Sequence, residues 1–298
     1  MEKFKIKKIL VPLDFSFTSL KALDHAITLS KLSDAELILM HVVENQYVNT
    51  DPFFVSTPGI VNFENKLTKA SKENLDKLAL KIINKGVDKI FTVVVNGRTH
   101  KQILNVAKKT KPDLIVMGTH GVSGVKEFVM GSNTFRIVSD AECPVLSVQR
   151  KSNPTGFKNI LVPFCDRPHS REKVIYAIKM AEIYGSKIYV YGVDTDKTAS
   201  HRNKVYQEAD QICDIVEKHN IECDVKVVSA TYDAETILKY AQKIKADLIL
   251  SIGDIIKQDI TEYFTGSFAQ QVINHSSIPV LSIHSEVNTQ MVEMWHGI

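Results

Sequence analysis

Short unbroken apolar runs recur along the first half of the chain, at residues 9–13, 36–43, 89–95, 114–117 and 145–148. They hardly alternate with polar residues, which is the pattern of parallel strands buried on both faces. Between them lie polar–apolar segments of helical period. Helix starts are expected at Ser16, Thr99 and Ser132, each a capping residue type, and Pro112 with Asp113 ends a helix before the fourth run. Strands alternating with helices predict a three-layer α/β sandwich with right-handed crossovers. In such a sheet ligands sit at the carboxyl ends of strands, where the strand order reverses.

The pattern then repeats. Residues 7–44, KKILVPLDFSFTSLKALDHAITLSKLSDAELILMHVVE, correspond to residues 158–194 at an offset of 151. Residues 131–148, GSNTFRIVSDAECPVLSV, correspond to GSFAQQVINHSSIPVLSI at 266–283, an offset of 135. The chain therefore reads as a duplication, with domains at 1–150 and 156–285, a linker RKSNPTG between them, and a C-terminal tail at 286–298. Copy two is shorter by 151 − 135 = 16 residues. The extra length in copy one falls at residues 44–65, whose Pro, Gly, Asn and Ser content predicts a loop. That loop also carries Tyr47, Phe53, Phe54, Ile60 and Phe63, as a loop packed on its own domain, a lid or a partner contact would.

Composition changes this picture little. The 298 residues are 44% hydrophobic and 24% charged, with a net charge of +3. That balance gives no reason to expect a nucleic-acid or membrane-surface partner. No run approaches the ~20 apolar residues that span a bilayer, and Asp14 interrupts the basic N-terminal stretch, so no signal peptide is expected there. Cys143, Cys165, Cys213 and Cys223 lack metal-site spacing and read as four scattered thiols suited to a reducing cytoplasm.

The candidate chemistry lies after the fourth strand. MGTHGVSGVKEFVMGSNT (residues 117–134) carries four of the chain's 13 glycines. Met117 ends the strand. Gly118 and Gly121 permit a turn whose N–H groups form an anion nest. Gly131 and Ser132 open the last helix, whose free N–H groups and positive dipole end favour phosphate. Asn133 and Thr134 add donors. The plainer alternative is that the glycines only make turns and that Ser132 is an ordinary cap. Neither a Walker A sequence nor G-x-G-x-x-G is present. After the first strand, Pro12, Leu13, Asp14 and Ser16 stand at the same edge. Asp14 is suited either to a ribose hydroxyl or base amino group, or to capping the next helix. In the second strand, backbone groups at Val42 can read a purine edge, whereas His41 suits a core role as well as a ligand role. His120 lies inside the glycine turn.

These motifs resemble the universal stress proteins, whose nucleotide-binding members carry G-x2-G-x9-G-[S/T] after the fourth strand and an Asp after the first. Copy one matches at Gly118, Gly121, Gly131, Ser132 and Asp14. The resemblance spans nearly the whole chain as a tandem pair. It implies a Rossmann-like fold of the adenine nucleotide alpha hydrolase type, with each domain a five-stranded parallel sheet in the order 3-2-1-4-5. It implies ATP as ligand, with Asp14 and Val42 at the adenosine end, the glycines at the phosphates, and a divalent ion such as Mg2+ alongside.

Copy two departs from the motif. Cys165 replaces Asp14, Gly253 is the one remnant of the first glycine pair, and Ile256 replaces the second; Gly266 and Ser267 persist. A branched residue at a nest position blocks the turn. One nucleotide site per chain is therefore expected. Copy two is expected to act as an intrachain dimerisation partner through the fifth strands, within a homo-oligomer. The leading function is a cytoplasmic ATP-binding stress-response switch without efficient turnover. The alternatives are a slow ATPase or adenylyl-transfer enzyme, for which His120 and Glu127 are the nearest candidates, and a protein-interaction or apolar-ligand module centred on the aromatic loop.

Overall fold

A computed structural model describes residues 5–44, 58–119, 130–166, 170–253 and 268–284. The chain divides into two compact units, with the division between Pro154 and Thr155, inside the expected linker.

The first unit has the elements β1 (Lys8–Pro12), α1 (Phe17–Ser33), β2 (Glu36–Val43), α2 (Pro58–Ile83), β3 (Ile90–Asn96), α3 (Thr99–Thr110), β4 (Leu114–Gly118), α4 (Ser132–Asp140) and β5 (Val145–Val148). Its strands are parallel and run in the order β3-β2-β1-β4-β5. Ile9, Leu10 and Val11 are fully buried in the central strand, as strands covered on both faces require. Right-handed crossovers put α1 and α2 on one face of this sheet and α3 and α4 on the other, and α3 packs against α4. The order reverses at β1, since β2 and β3 lie to one side and β4 and β5 to the other. The carboxyl ends of β1 and β4 are the switch point, where ligands bind.

The second unit repeats this plan. Its elements are β6 (Asn159–Phe164), α5 (Lys173–Tyr184), β7 (Lys187–Asp194), α6 (Ala199–Glu217), β8 (Cys223–Ser229), α7 (Ala234–Lys243), β9 (Leu248–Gly253), α8 (Phe268–His275) and β10 (Val280–His284). The strand order is β8-β7-β6-β9-β10, again all parallel.

Two local expectations are corrected. Residues 58–65, expected as loop, form the start of α2: Pro58 suits the first turn of a helix, where its missing N–H costs nothing. The aromatic loop at 45–57 and the tail at 286–298 lie outside the described residues. Cys213 in α6 and Cys223 at the start of β8 are joined by a disulfide, with Cα atoms 5.7 Å apart, so two of the four cysteines are not separate thiols and cysteine usage no longer argues for a reducing compartment. The linker between the units is partly buried. Ser152 is buried and donates to the Gln149 carbonyl at 2.8 Å. Its oxygen must then accept from His25 Nε2, 3.1 Å away, which fixes that ring in the Nε2–H tautomer.

Burial, aided by Lys21, lowers the His25 pKa to about 4. The unfolded chain takes up this proton near pH 6.5 while the folded chain resists it until about pH 4, so stability is present above pH 6.5 and lost as pH falls through that window. Urea denaturation is expected to show about 2 kcal/mol lost between pH 7 and pH 5 from this group, with the loss abolished in His25→Leu. An unchanged pH dependence in that variant would assign the loss to other groups.

Candidate functional site

The ends of β1, β2 and β4, with the first turns of α1, α3 and α4, enclose a cleft at the switch point. Ten of the expected site residues line it: Pro12, Leu13 and Asp14 from β1 and its loop, Val42, Met117 and Gly118 from β2 and β4, and Gly131 to Thr134 at the start of α4. Ser19, Met40, Thr99 and Ile103 also line it. Met40 was legible from strand alternation, since residues two apart share a face; the α3 pair was not, because nothing in a single amphipathic helix says which loops it will overhang. Ser16 does not line the cleft. It caps α1, its Oγ accepting from Ser19 N–H at 3.2 Å. His120 and Gly121 lie outside the described residues.

Strand alternation also sorts the second strand. Met40 and Val42 face the cleft, while the half-buried His41 turns aside and donates through Nδ1 to the Leu13 carbonyl at 2.7 Å. The Phe15 ring lies 4.9 Å from the His41 ring. Phe15 itself has φ +60°, an outlier for a bulky residue, in the turn just after Asp14. No pattern in the sequence marks it. Asp14 Oδ1 accepts from Ser16 N–H at 2.9 Å, so the expected capping role and a place in the cleft coexist.

The two described cleft glycines have different reasons to be glycine. A Cβ on Gly118 would stand 2.8 Å from the Thr18 carbonyl carbon and 3.0 Å from Ser19 N, both backbone atoms of α1. This glycine lets α1 cross the end of β4 closely. Gly131 has φ −59° and ψ 143°, open to any residue, and a Cβ there would come no closer than 3.4 Å to the Thr119 carbonyl oxygen. Neither the backbone angles nor any described neighbour demands glycine at 131, yet it lines the cleft.

The start of α4 is built for an anion. Gly131, not the expected Ser132, is its N-cap, and no side chain caps it. The Gly131 N–H is spent on the Thr119 carbonyl at 2.9 Å, and the first helical bond runs from Phe135 N–H to the Gly131 carbonyl. The N–H groups of Ser132, Asn133 and Thr134 therefore precede the helical ladder at the positive end of the helix dipole. Thr134 Oγ donates to the Gly118 carbonyl at 3.1 Å and fixes this terminus against β4. Thr99, expected as a cap, is instead the first residue of α3, and the cap position is Arg98.

In the second unit the same edge is built differently: a cavity there is lined by Cys165, Asp166, Thr195, Lys197, Ala230, Thr231 and Tyr232, and an aromatic pair lies between the strand end and the helix start. The Tyr232 ring stacks on Phe268, 4.5 Å between centroids, and its hydroxyl reaches to 3.4 Å from the Pro163 carbonyl. At the offsets of the repeat, Pro163 corresponds to Pro12 and Phe268 to Asn133. The tyrosine thus spans from the strand end to the helix start that bound the cleft in the first unit. Cys165, at the place of Asp14, is buried. Beside it, the fully buried Asp194 accepts from Ser229 Oγ and His201 Nδ1, both at 2.6 Å, and these bonds hold its carboxyl below the usual carboxylate range. His201 Nε2 reaches Asp166 at 3.2 Å; a carboxylate on each ring nitrogen raises its pKa, Asp194 above all. Among the described residues no group of three His, Cys, Asp or Glu side chains converges as a metal site, and no helix is long and apolar enough to cross a membrane.

Comparison with known proteins agrees with this architecture. The family model described as universal stress protein family matches residues 5–149 and again 156–284. The universal stress protein MJ0577 of Methanocaldococcus jannaschii is 31% identical over 158 residues, covering 49% of this chain and 97% of that protein. Universal stress protein YxiE of Bacillus subtilis is 36% identical over 146 residues, 48% of this chain and 98% of its own length. A universal stress protein from Archaeoglobus fulgidus has the same fold over 96% of this chain and 98% of its own, with a TM-score of 0.74 at 20% identity.

The glycine distinction has a measurable consequence. Gly118→Ala is expected to cost about 1–3 kcal/mol by forcing α1 off β4, and Gly131→Ala to stay within about 0.5 kcal/mol of the parent. Equal thermal shifts for the two would contradict the close crossing at Gly118.

Proposed function

The chain belongs to the universal stress protein family, and from that premise we propose that its first unit binds one ATP per chain in the switch-point cleft while the second unit binds none. Gly131 carries the reading. It is a glycine that no described neighbour and no backbone angle requires, at an uncapped helix start facing a cleft, and close approach of a phosphate supplies the need. The adenosine lies at the β1 and β2 ends, with Asp14 toward the ribose and Leu13 and Val42 beside the base. The phosphates lie at Gly118 and Ser132 to Thr134. Mg2+ arrives on the triphosphate rather than on a protein site, consistent with the lack of a converging ligand set among the described residues.

The protein acts as a nucleotide-dependent switch for a protein partner, with little turnover. No lysine follows Gly131, and Asp14, the carboxylate of the cleft, is at the adenosine end, so nothing among the described lining residues activates water at a terminal phosphate. The Tyr232–Phe268 stack supports the asymmetry between the two units.

Calorimetric titration with MgATP is expected to give one site per chain. Gly131→Val should abolish binding while leaving the melting temperature within a few degrees, since its added atoms enter the cleft rather than the core. Two equivalent sites per chain would overturn the asymmetry, and no binding by the parent protein would overturn the nucleotide reading.

A further inference from the structure

The outer strand of the first unit differs in chemistry from its counterpart in the second. β3 and β8 hold the same place: Leu37 lies opposite Ile90, and Ile188, its equivalent at the repeat offset of 151, lies opposite Cys223. On β3, Thr92 Oγ donates to Asp76 of α2 at 2.6 Å, and Asn96 Oδ1 accepts from Thr68 of α2 at 3.0 Å, so these two residues face the helix. Strand alternation then puts Phe91, Val93 and Val95 on the opposite face. Phe91 is 57% exposed and the two valines are half-buried. The matching positions of β8 hold Asp224, Lys226 and Val228. Both of those charged side chains are exposed, and Asp224 pairs with Lys187 at 2.8 Å. Charges at such places keep a sheet edge from pairing with another chain. β3 has no such guard, since Ile90–Asn96 contains neither a charge nor a proline. One side of it pairs with β2 along all seven residues, and no described strand pairs with the other side.

We infer that this edge is an interface with a second molecule of the same chain, in which two β3 strands pair antiparallel about a two-fold axis. Two-fold pairing over the whole strand has one register, centred on Val93, the middle of its seven residues. Val93 then meets the partner's Val93, Phe91 meets the partner's Val95, and Thr92 meets the partner's Val94. Apolar cross-strand pairs of this kind stabilise a sheet. Just beyond the strand, Asp88 comes opposite the partner's Arg98 at both ends of the ladder, and Lys89 opposite the partner's Gly97. Asp88 and Arg98 are both exposed. The register therefore sets opposite charges against each other twice and like charges nowhere between residues 88 and 98. This complementarity lies between the two ends of one strand, which is what an isologous interface uses, and it favours a second copy of this chain over an unrelated partner.

The test reads the mass of the full-length protein in solution by light scattering over a dilution series. The parent is expected to associate. Val93→Lys sets like charges opposite each other on the axis and is expected to halve the parent's mass. It installs the residue type that β8 carries at the matching position, Lys226, so the melting temperature should stay within a few degrees of the parent. Two exposed residues give an independent reading. Arg98→Asp faces the partner's Asp88 and should weaken association about tenfold, and adding Asp88→Arg to it should restore association. A parent that stays monomeric at every concentration would overturn the proposal and leave the apolar stripe to another segment of the chain or to a different protein. A Val93→Lys variant with the parent's mass would overturn it too, by placing the association elsewhere on the molecule. Association equally weak in the single and the double charge variants would overturn the two-fold register.

Discussion

The close crossing of α1 over the end of β4 is the constraint on which the first unit's site depends. It requires the absence of a side chain at Gly118, where a Cβ would sit 2.8 Å from the α1 backbone. With α1 held there, its first turn and the β1 loop form one wall of the cleft. Thr134 then ties the α4 start to the same residue's carbonyl, and Gly131 N–H ties it to Thr119. The end of β4 is thus gripped from both faces of the sheet by backbone and short side chains. The anion-seeking helix start needs no further support to keep its direction, which is the preorganisation that a binding site requires.

Much of this was legible in the sequence because its cause is local. Glu36–Val43 and Val145–Val148 are apolar runs long enough, or well enough bounded, to set their own limits, and they are the observed β2 and β5. The other strands shift by a residue at one or both ends, where pairing with neighbours decides. What failed has non-local causes. Ser132 looks like a cap, yet Gly131 occupies that position because its N–H is drawn to Thr119 across the turn. Pro58 reads as loop chemistry, and tertiary packing on β2 and β3 makes it a helix start. The Cys213–Cys223 bond joins residues ten apart that only the turn from α6 to β8 brings together. Thr99 and Ile103 enter the cleft because α3 crosses back over the sheet, which no periodicity records.

The two units show how one topology separates fold from site. Both keep the strand order and the proline at the end of the central strand. Apart from the Cys213–Cys223 bond at the start of β8, the differences that bear on a ligand fall on the carboxyl edge. Where the first unit has Asp14 and Asn133, the second has Cys165 and Phe268. Where it has Val43, at the end of its second strand, the second unit has Asp194, the centre of a buried network with Ser229 and His201. A buried carboxylate is tolerable only when so paired, and those partners consume the donors that a ligand would need. The second unit thus carries a buried polar network where the first has an apolar strand end.

No lysine directly follows Gly131, as one does in a Walker A loop, and among the described residues none lines the cleft. A lysine ammonium inside a glycine loop puts full charge next to the phosphate and favours displacement chemistry there. The described lining instead offers the N–H groups at the start of α4 and the amide of Asn133. An amide donor holds an oxygen without neutralising the charge that develops as a phosphoryl group transfers, so it contributes to binding more than to the transition state. On the nucleotide reading proposed above, a lining of helix N–H groups and short polar side chains, with no lysine or arginine among its described residues, suits retention of a phosphate chain rather than its cleavage.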